Sequence, residues 1–457
     1  MKQQITEAVN KQKAFFQTNA TKDVEYRLDA LKKLKRTIRR FEDQLCDALW
    51  EDLHKSKFEA YATEIGIVLD ELSVHIKNVK KWAKPEKVST PVLHYKSDSY
   101  IYNEPFGTVL VIAPWNYPFQ LLFNPLIAAI SSGNTAVLKP SPYTPRTSEV
   151  MHEIIKDCFH EEYICLFKGG RQVNQWLLEE KFDYIFFTGS PMLGKQVMKM
   201  AAENLTPIAL ELGGKSPCIV DENVNIDVAA KRIVWGKYIN AGQTCIAPDY
   251  LFVHKKVKNK LLDKMKEVIT EFFGENPQES DDFARVVNEA NVLRLQKLME
   301  GLTIFAGGQV DVTEKYIAPT ILTDVTPEHP IMQEEIFGPL LPVMEFTSYA
   351  QVYKYINANP KPLALYFFSE DTARQEEVLL NTSSGGGCIN DTLMHIANHN
   401  LPFGGVGNSG MGRYHGEFGF KALSNPRAIL KKSTLLDVPV RYAPYKDKLG
   451  MVKMLLN

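Results

Sequence analysis

Two short segments carry the residue types of covalent acyl chemistry: Glu211-Leu-Gly-Gly-Lys-Ser-Pro217 and Gly242-Gln-Thr-Cys245. A cysteine thiolate adds to a carbonyl carbon and holds the product as a thioester, and a carboxylate that deprotonates water releases it. The glycines beside each residue let backbone and ligand approach closely. Taken singly, each has an ordinary reading, since free cysteine is among the most buried residue types and glutamate is mostly exposed. Cys245 lies among turn-compatible residues rather than in an apolar run, which favours the nucleophile, whereas Cys218 inside SPCIV reads as core. No histidine lies close in sequence to deprotonate Cys245.

Two glycine patterns compete for a phosphate. Gly405-x-Gly407-x-x-Gly410 matches a dinucleotide fingerprint by letter, but no apolar strand precedes it and no hydrophobic helix follows. Gly189-x-x-x-x-Gly194-Lys195 follows the apolar YIFF and matches a P-loop up to its last position, where Gln196 replaces the hydroxyl that would bind magnesium. What remains is a strand, a turn with Gly189 and Ser190, and a helix from about Leu193 whose free amides suit a pyrophosphate without metal. His395 and His399 are spaced for one helix face, but no H-E-x-x-H glutamate and no third ligand at useful spacing accompany them. Asn398, Asn400 and Pro402 oppose a helix there, so a loop near a substrate entrance and no metal are expected.

The elements that position these residues follow from apolar periodicity. From Ile5 to about Lys81 the spacing is helical, with Leu28, Leu31, Leu34 and Ile38 on one face. Lys84 to Glu104 switches to Val88, Val92 and Tyr100 among Ser, Thr and Pro, which predicts a hairpin or extended arm. From Gly107 the runs TVLVIAP, TAVLKPS and YIFFTGS alternate with helical stretches, the pattern of parallel βαβ units. A second alternation, from Pro217 to about Ile389, includes SPCIV, LFVH, TIF, LPVMEF and LALYFF. The reading is α/β, with two parallel-sheet domains and a small β bridging element. Asn116, Lys139 and Ser190 each lie just past an apolar run, at the sheet edge where open α/β folds bind ligands.

Composition narrows the rest. At 457 residues the chain exceeds one domain of roughly 100 to 200 residues. A formal net charge of −1 gives no global footprint for nucleic acid. Six cysteines without C-x-x-C spacing indicate neither zinc knuckle nor disulfide framework, so a reducing, cytoplasmic setting is expected. No apolar run of about 20 residues is long enough to cross a bilayer.

ELGGKSP (211–217), GQTCIAPD (242–249), PWNYP (114–118), KPS (139–141), EEIFGP (334–339) and PFGGVGNSGMGRYHG (402–416) resemble, in family order, the signature segments of the NAD(P)-dependent aldehyde dehydrogenases. The NYP and GQTCIAPD wording and the tail from Arg441 resemble the class 3 branch. The resemblance implies residues 1–84 and 105–209 as a dinucleotide-binding domain, 210–400 as a catalytic domain, and 85–104 with 421–445 as a bridging element in a homodimer. It implies Cys245 as nucleophile, Glu211 as general base and the Asn116 amide as an oxyanion donor, Asn116 being otherwise a helix N-cap. Lys139, Gly189, Ser190, Gly194, Glu335 and Phe337 are implied to hold NAD or NADP, with Glu334 the competing choice for Glu335. Many relatives have a glutamate for the ribose 2′-hydroxyl where this chain has Pro142, so NADP should be tolerated as well as NAD. Tyr61 and Tyr117 suggest an apolar funnel for medium-chain aliphatic or aromatic aldehydes. A cofactor-independent thiol hydrolase would use the same cysteine and carboxylate, and a P-loop triphosphatase would use Gly189 to Lys195.

Overall fold

The computed structural model describes every residue except Val438 and Asn457; Val438 falls within the expected bridging stretch 421–445 and lies outside the described residues. Two larger sheets carry the chain. The first has six strands in the order Gly410–Met411, Ile208–Leu212, Tyr184–Gly189, Thr108–Ile112, Thr135–Lys139, Ile164–Leu166. All its pairings are parallel except that of Gly410–Met411, which runs antiparallel to the strand bearing Glu211. Strand order reverses between Thr108–Ile112 and Tyr184–Gly189, so the chain leaves the carboxyl ends of these neighbours in opposite directions and opens a crevice there.

The second sheet has seven strands, in the order Thr303–Ala306, Thr320–Thr323, Leu340–Phe346, Tyr250–His254, Pro217–Val220, Ala364–Phe368, Gly386–Ile389. Only Thr303–Ala306 is antiparallel to its neighbour. Its central strands are apolar on both faces and fully covered, as parallel strands between helices must be.

Helices cover the first sheet in the way the heptad-like spacing requires. Val24–Arg40 starts at Asp23, whose carboxylate accepts from the Glu25 N–H, and ends on Arg39 and Arg40, which suit the negative helix end. It buries Leu28, Leu31, Leu34 and Ile38 against Gly66–Trp82 and Gln120–Ser132. Gln120–Ser132 is buried all round, in keeping with its mostly apolar sequence, and stops at Gly133 in left-handed backbone at φ 95°. A single π-type turn, Tyr61–Ile65, joins Lys57–Ala60 to Gly66–Trp82 and turns Glu64 into the interior.

The stretch after Lys84 forms an antiparallel three-stranded sheet: Glu86–Val88, Ser97–Pro105 and Ser424–Lys432. One boundary needs correction. The expected break at 209/210 would cut the strand Ile208–Leu212, which belongs wholly to the first sheet. Beyond Lys432 the expected bridging segment has no described strand, only a short turn of 3₁₀ helix at Pro439–Arg441.

Candidate active site

Cys245 follows a turn in which three consecutive residues, Asn240, Ala241 and Gly242, hold left-handed backbone at φ 52°, 49° and 72°. Such a run stores strain and persists only when neighbours impose it. Gly242 is required by contact as well, because a Cβ there would stand 2.3 Å from the Gly338 carbonyl oxygen. Gln243 fastens the turn. Its Nε2 donates to the carbonyls of Asn240 at 3.0 Å and Arg285 at 2.9 Å, and its Oε1 accepts from the Val287 N–H at 2.9 Å. Thr244 is fixed to Tyr117 by a 2.6 Å hydroxyl pair, which leaves Cys245 to project into a cavity.

Asn116 does not cap a helix: the helix that follows begins at Gln120 with Phe119 at its cap. Its Nδ2 donates to the Gln243 carbonyl at 3.0 Å, bringing the amide beside the cysteine turn, and makes no other hydrogen bond among the described residues. Its carbonyl accepts from Lys55 Nζ and from Asn240 Nδ2, both at 2.8 Å. Lys55 is fully buried and paired at 2.6 Å with the equally buried Glu64, whose other oxygen accepts from the Phe119 and Gln120 N–H groups at 2.8 and 3.2 Å. One ion pair thus sets both the peptide of Asn116 and the start of the central helix.

Glu211 ends its strand against the segment 404–412, and the glycine pattern 405–410 explains why the two can lie so close. A Cβ on Gly410 would stand 2.0 Å from the Leu210 carbonyl oxygen, and one on Gly404 would stand 2.9 Å from Glu211 Oε1. The pattern is a backbone-packing device. Glu211 is buried, both its carboxylate oxygens lack partners, and burial drives its pKa well above the usual range, opposed only by Arg413. Arg413 is itself held by the Gly405 and Gly412 carbonyls.

Cys245, Glu211 and Tyr117 open on one cavity of about 810 Å³, within the size range of small-molecule sites. Its walls are chiefly apolar, from Phe58, Leu121, Trp235, Phe272, Ile396 and Phe403. Burial also pushes the Cys245 thiol up, and the nearby Glu335 and Glu211 carboxylates add to the effect. Tyr61 is not among the residues that line this cavity, whereas its neighbours Phe58, Ala62 and Thr63 are. The funnel reading therefore rests on Tyr117.

At the carboxyl edge of the first sheet stand the candidate dinucleotide residues. Lys139 ends its strand buried, its Nζ donating to the Pro140 carbonyl at 2.6 Å, and desolvation lowers its pKa to about 8. Ser190 caps the helix Pro191–Ala202, and Gly194 lets that helix press on the Glu211 strand, since a Cβ there would stand 2.7 Å from Leu212. Glu334 pairs with Arg294 at 2.7 Å, whereas Glu335 turns to the Gly213–Gly214 backbone, and a Cβ on Gly213 would meet it at 2.1 Å. Burial raises the Glu335 pKa to about 8, and its Oε1 is without a partner. Phe337 sits in left-handed backbone at φ 49° and meets Trp115 edge-on at 5.4 Å. A buried lysine, an unpartnered carboxylate oxygen and an open helix N-terminus along one crevice are suited to a cofactor with ribose hydroxyls and a pyrophosphate.

Residues 1–429 match the aldehyde dehydrogenase family. This chain belongs to that family. It is 49% identical over 443 residues to 4,4'-diaponeurosporen-aldehyde dehydrogenase of Staphylococcus aureus, covering 96% of each chain. To the dimeric NADP-preferring aldehyde dehydrogenase of Canis lupus familiaris it is 40% identical, over 97% of this chain and 99% of the relative. Its fold superposes on the substrate-bound Staphylococcus aureus AldH with a TM-score of 0.97 at 48% identity, covering 99% of both chains. The chain is therefore an NAD(P)-dependent aldehyde dehydrogenase of the class 3-like branch, with the α/β architecture expected from its sequence.

The aldehyde dehydrogenase motifs prove to be tied to one another. Lys215 of ELGGKSP pairs with Asp249 of GQTCIAPD and donates to the carbonyls of Ile331 at 2.9 Å and Glu334 at 2.8 Å. Asp249 accepts in turn from the Ile336 N–H of EEIFGP at 2.9 Å. Lys215 and Asp249 lay inside the motifs and could have been singled out as charged residues of unusual position. Lys55 and Glu64 carried no such signal, nor did Glu59, a cavity-lining carboxyl that burial raises to about 7. His395 sits in a short turn whose neighbours line the cavity, and stacks on Phe403, as the loop expectation required.

With its pKa raised by burial and by two carboxylates, Cys245 is protonated at neutral pH before cofactor binds. Its alkylation by iodoacetamide should therefore accelerate about tenfold per pH unit across neutrality, in proportion to the thiolate. A rate already at its plateau at pH 7 would contradict the assigned electrostatics.

Proposed function

We propose that the oxidation runs through a thiohemiacetal and a thioester on Cys245. The observation that carries this reading is that Cys245 and the partner-free carboxylate of Glu211 open on the same apolar cavity. Cys245 attacks the aldehyde carbon, and the oxyanion accepts hydrogen bonds from the Asn116 amide and the Cys245 N–H; one such donor contributes about 10²–10³ in rate. Bound NAD(P)⁺ supplies the hydride acceptor. Lys139, Gly189, Ser190 and Gly194 hold its adenosine and phosphate end, and Glu335 and Phe337 fix the nicotinamide side. Glu211, in its carboxylate form, accepts a proton from the water that hydrolyses the thioester.

The substrate reading is an apolar aldehyde, medium-chain aliphatic or aromatic, with cavity volume sufficient for longer chains. Most of the lining is apolar, with Glu59, Gln120, Thr188, Glu211 and Thr244 among its polar residues. The Staphylococcus aureus relative is named for a 4,4'-diaponeurosporen-aldehyde, which supports an apolar occupant. Residues 1–84 with the first sheet form the cofactor domain and the second sheet the catalytic domain. The strand Ser424–Lys432 lies at the edge of its three-stranded sheet, and a dimer pairing along that edge agrees with the dimeric canine relative. A mass in solution equal to one chain would remove the dimer.

Steady-state and rapid-mixing kinetics over a series of n-alkanals test both parts. Cys245→Ala should abolish aldehyde-dependent reduction of NAD(P). Glu211→Gln should give a burst of about one reduced cofactor per chain, followed by turnover slowed about 10²–10⁴-fold. Specificity should rise about fourfold per added methylene until the cavity fills, the equivalent of ~0.8 kcal/mol each. A preference for short charged semialdehydes would sink the substrate reading and leave the chemistry standing.

Pro142 is exposed in the turn beyond Lys139, with no carboxylate at that position to repel a 2′-phosphate. Pro142→Glu should lower kcat/KM with NADP far more than with NAD. Equal effects on both cofactors would place the 2′-position elsewhere.

A further inference from the structure

Three side chains that the aldehyde chemistry leaves unused converge between the helix Gly66–Trp82 and the segment 394–416. One ligand-type atom from each of Glu71, His399 and His415 lies within 4.8 Å of the other two. Glu71 and His415 are buried, and the His399 side chain is 16% exposed, which leaves a path from solvent. His399 Nδ1 stands 2.7 Å from Glu71 Oε2, an ion pair when the imidazole is protonated. Neither ring nitrogen of the enclosed His415 has a partner, a state that costs about 1–3 kcal/mol for each buried polar atom. His415 is also held at φ 80°, backbone that a residue with a side chain adopts only when its surroundings impose it.

The remaining polar atoms are arranged as those around metal ligands are. His399 Nε2 lies 2.6 Å from Asp70 Oδ2, the carboxylate–histidine pairing that fixes the tautomer of a metal-bound imidazole. Glu71 Oε1 accepts from the Gly416 N–H at 2.8 Å and lies 3.0 Å from His75 Nε2, and His75 Nδ1 in turn is 2.8 Å from Ser131 Oγ. Glu71 Oε2 is left for His399 and His415. Two imidazoles and a carboxylate, with water in a fourth position, are a donor set that zinc takes readily.

We propose that Glu71, His399 and His415 form a site for a divalent transition-metal cation of the zinc type, with Asp70 and His75 orienting the ligands. This revises the expectation drawn from the spacing of His395 and His399. His399 has a ligand role, but its companions are His415 and a glutamate from the N-terminal helices, a neighbourhood that local spacing does not reveal. The cation ties the loop bearing Met394, Ile396 and Ala397 of the cavity wall to the helix bearing Ile67 of the same wall, and so fixes the mouth of the cavity. None of the three ligands lines the cavity itself, which separates this role from catalysis.

Full-length Cys245→Ser protein, which lacks the cavity thiol that would itself take up metal, is stripped with chelator and titrated with Zn²⁺ and with Co²⁺. Expected are one equivalent per chain, Co²⁺ d–d absorption without a thiolate charge-transfer band, and slowed amide exchange over residues 394–402. Asp70→Asn should weaken affinity about 10–100-fold, and His399→Ala should abolish the equivalent. Asp70 is exposed, so its variant keeps the test alive if His399→Ala does not fold. No stoichiometric binding at micromolar free metal, or an equivalent that survives both His399→Ala and Glu71→Gln, would overturn the site.

Discussion

The buried ion pair of Lys55 and Glu64 is the interaction on which the geometry of the reaction centre depends. Taking two charges out of water is costly, and such a pair persists only when its remaining hydrogen-bonding capacity is filled. Here it is filled by the reaction centre itself: the Asn116 carbonyl accepts from the lysine, and two backbone N–H groups at the start of the central helix donate to the glutamate. Tyr117 adds its ring face, 4.0 Å from the ammonium. Removing one partner of such a pair leaves an uncompensated charge and costs about 3–5 kcal/mol. The arrangement is therefore rigid, and rigidity is what an oxyanion donor needs, since its dipole must be aligned before charge develops.

The same burial that would make the proposed oxyanion donors effective works against the proposed nucleophile. An apolar cavity raises the pKa of Cys245, and Glu211 and Glu335 raise it further. Among the described residues no histidine or free ammonium stands where it would lower it. The chain's own electrostatics thus keep the thiol quiet, and the positive charge of an oxidised nicotinamide is the natural counterweight at this spot. The two carboxyls share that environment: burial raises Glu211 well above its usual range and Glu335 to about 8.

Much of this was legible in the chain because motif residues act through short-range rules. GQTC could be read as a turn that projects its cysteine, and Gly242 and Gln243 behave accordingly. The alternation that predicted βαβ units is seen in both larger sheets, and the residues just past Val111, Leu138 and Phe187 fall at one sheet edge. What escaped notice depends on contacts between distant segments. Tyr61 opens a π-type turn and is absent from the cavity lining, and no composition signal marks such a turn. Lys55 and Glu64 look like surface charges until the turn carries Glu64 inward. The glycines at 404–412 resembled a phosphate loop by letter, whereas their need for close approach to strand Ile208–Leu212 is a property of sheet pairing.

That last case bears on how the site is assembled. Glu211, Cys245 and Glu335 come from three segments with little in common in sequence, yet each is seated by a glycine with no room for a Cβ: Gly404 beside Glu211, Gly242 beneath the cysteine turn and Gly213 against Glu335. Lys215 and Asp249 then lock the Glu211, Cys245 and Glu335 segments together through charge and backbone carbonyls. Steric closeness sets the distances, and the lysine–aspartate pair sets the register between the sheets that supply them. An alanine at Gly213 would push Glu335 away without touching any catalytic atom, so the conformational freedom usually ascribed to glycine is secondary here to its lack of volume.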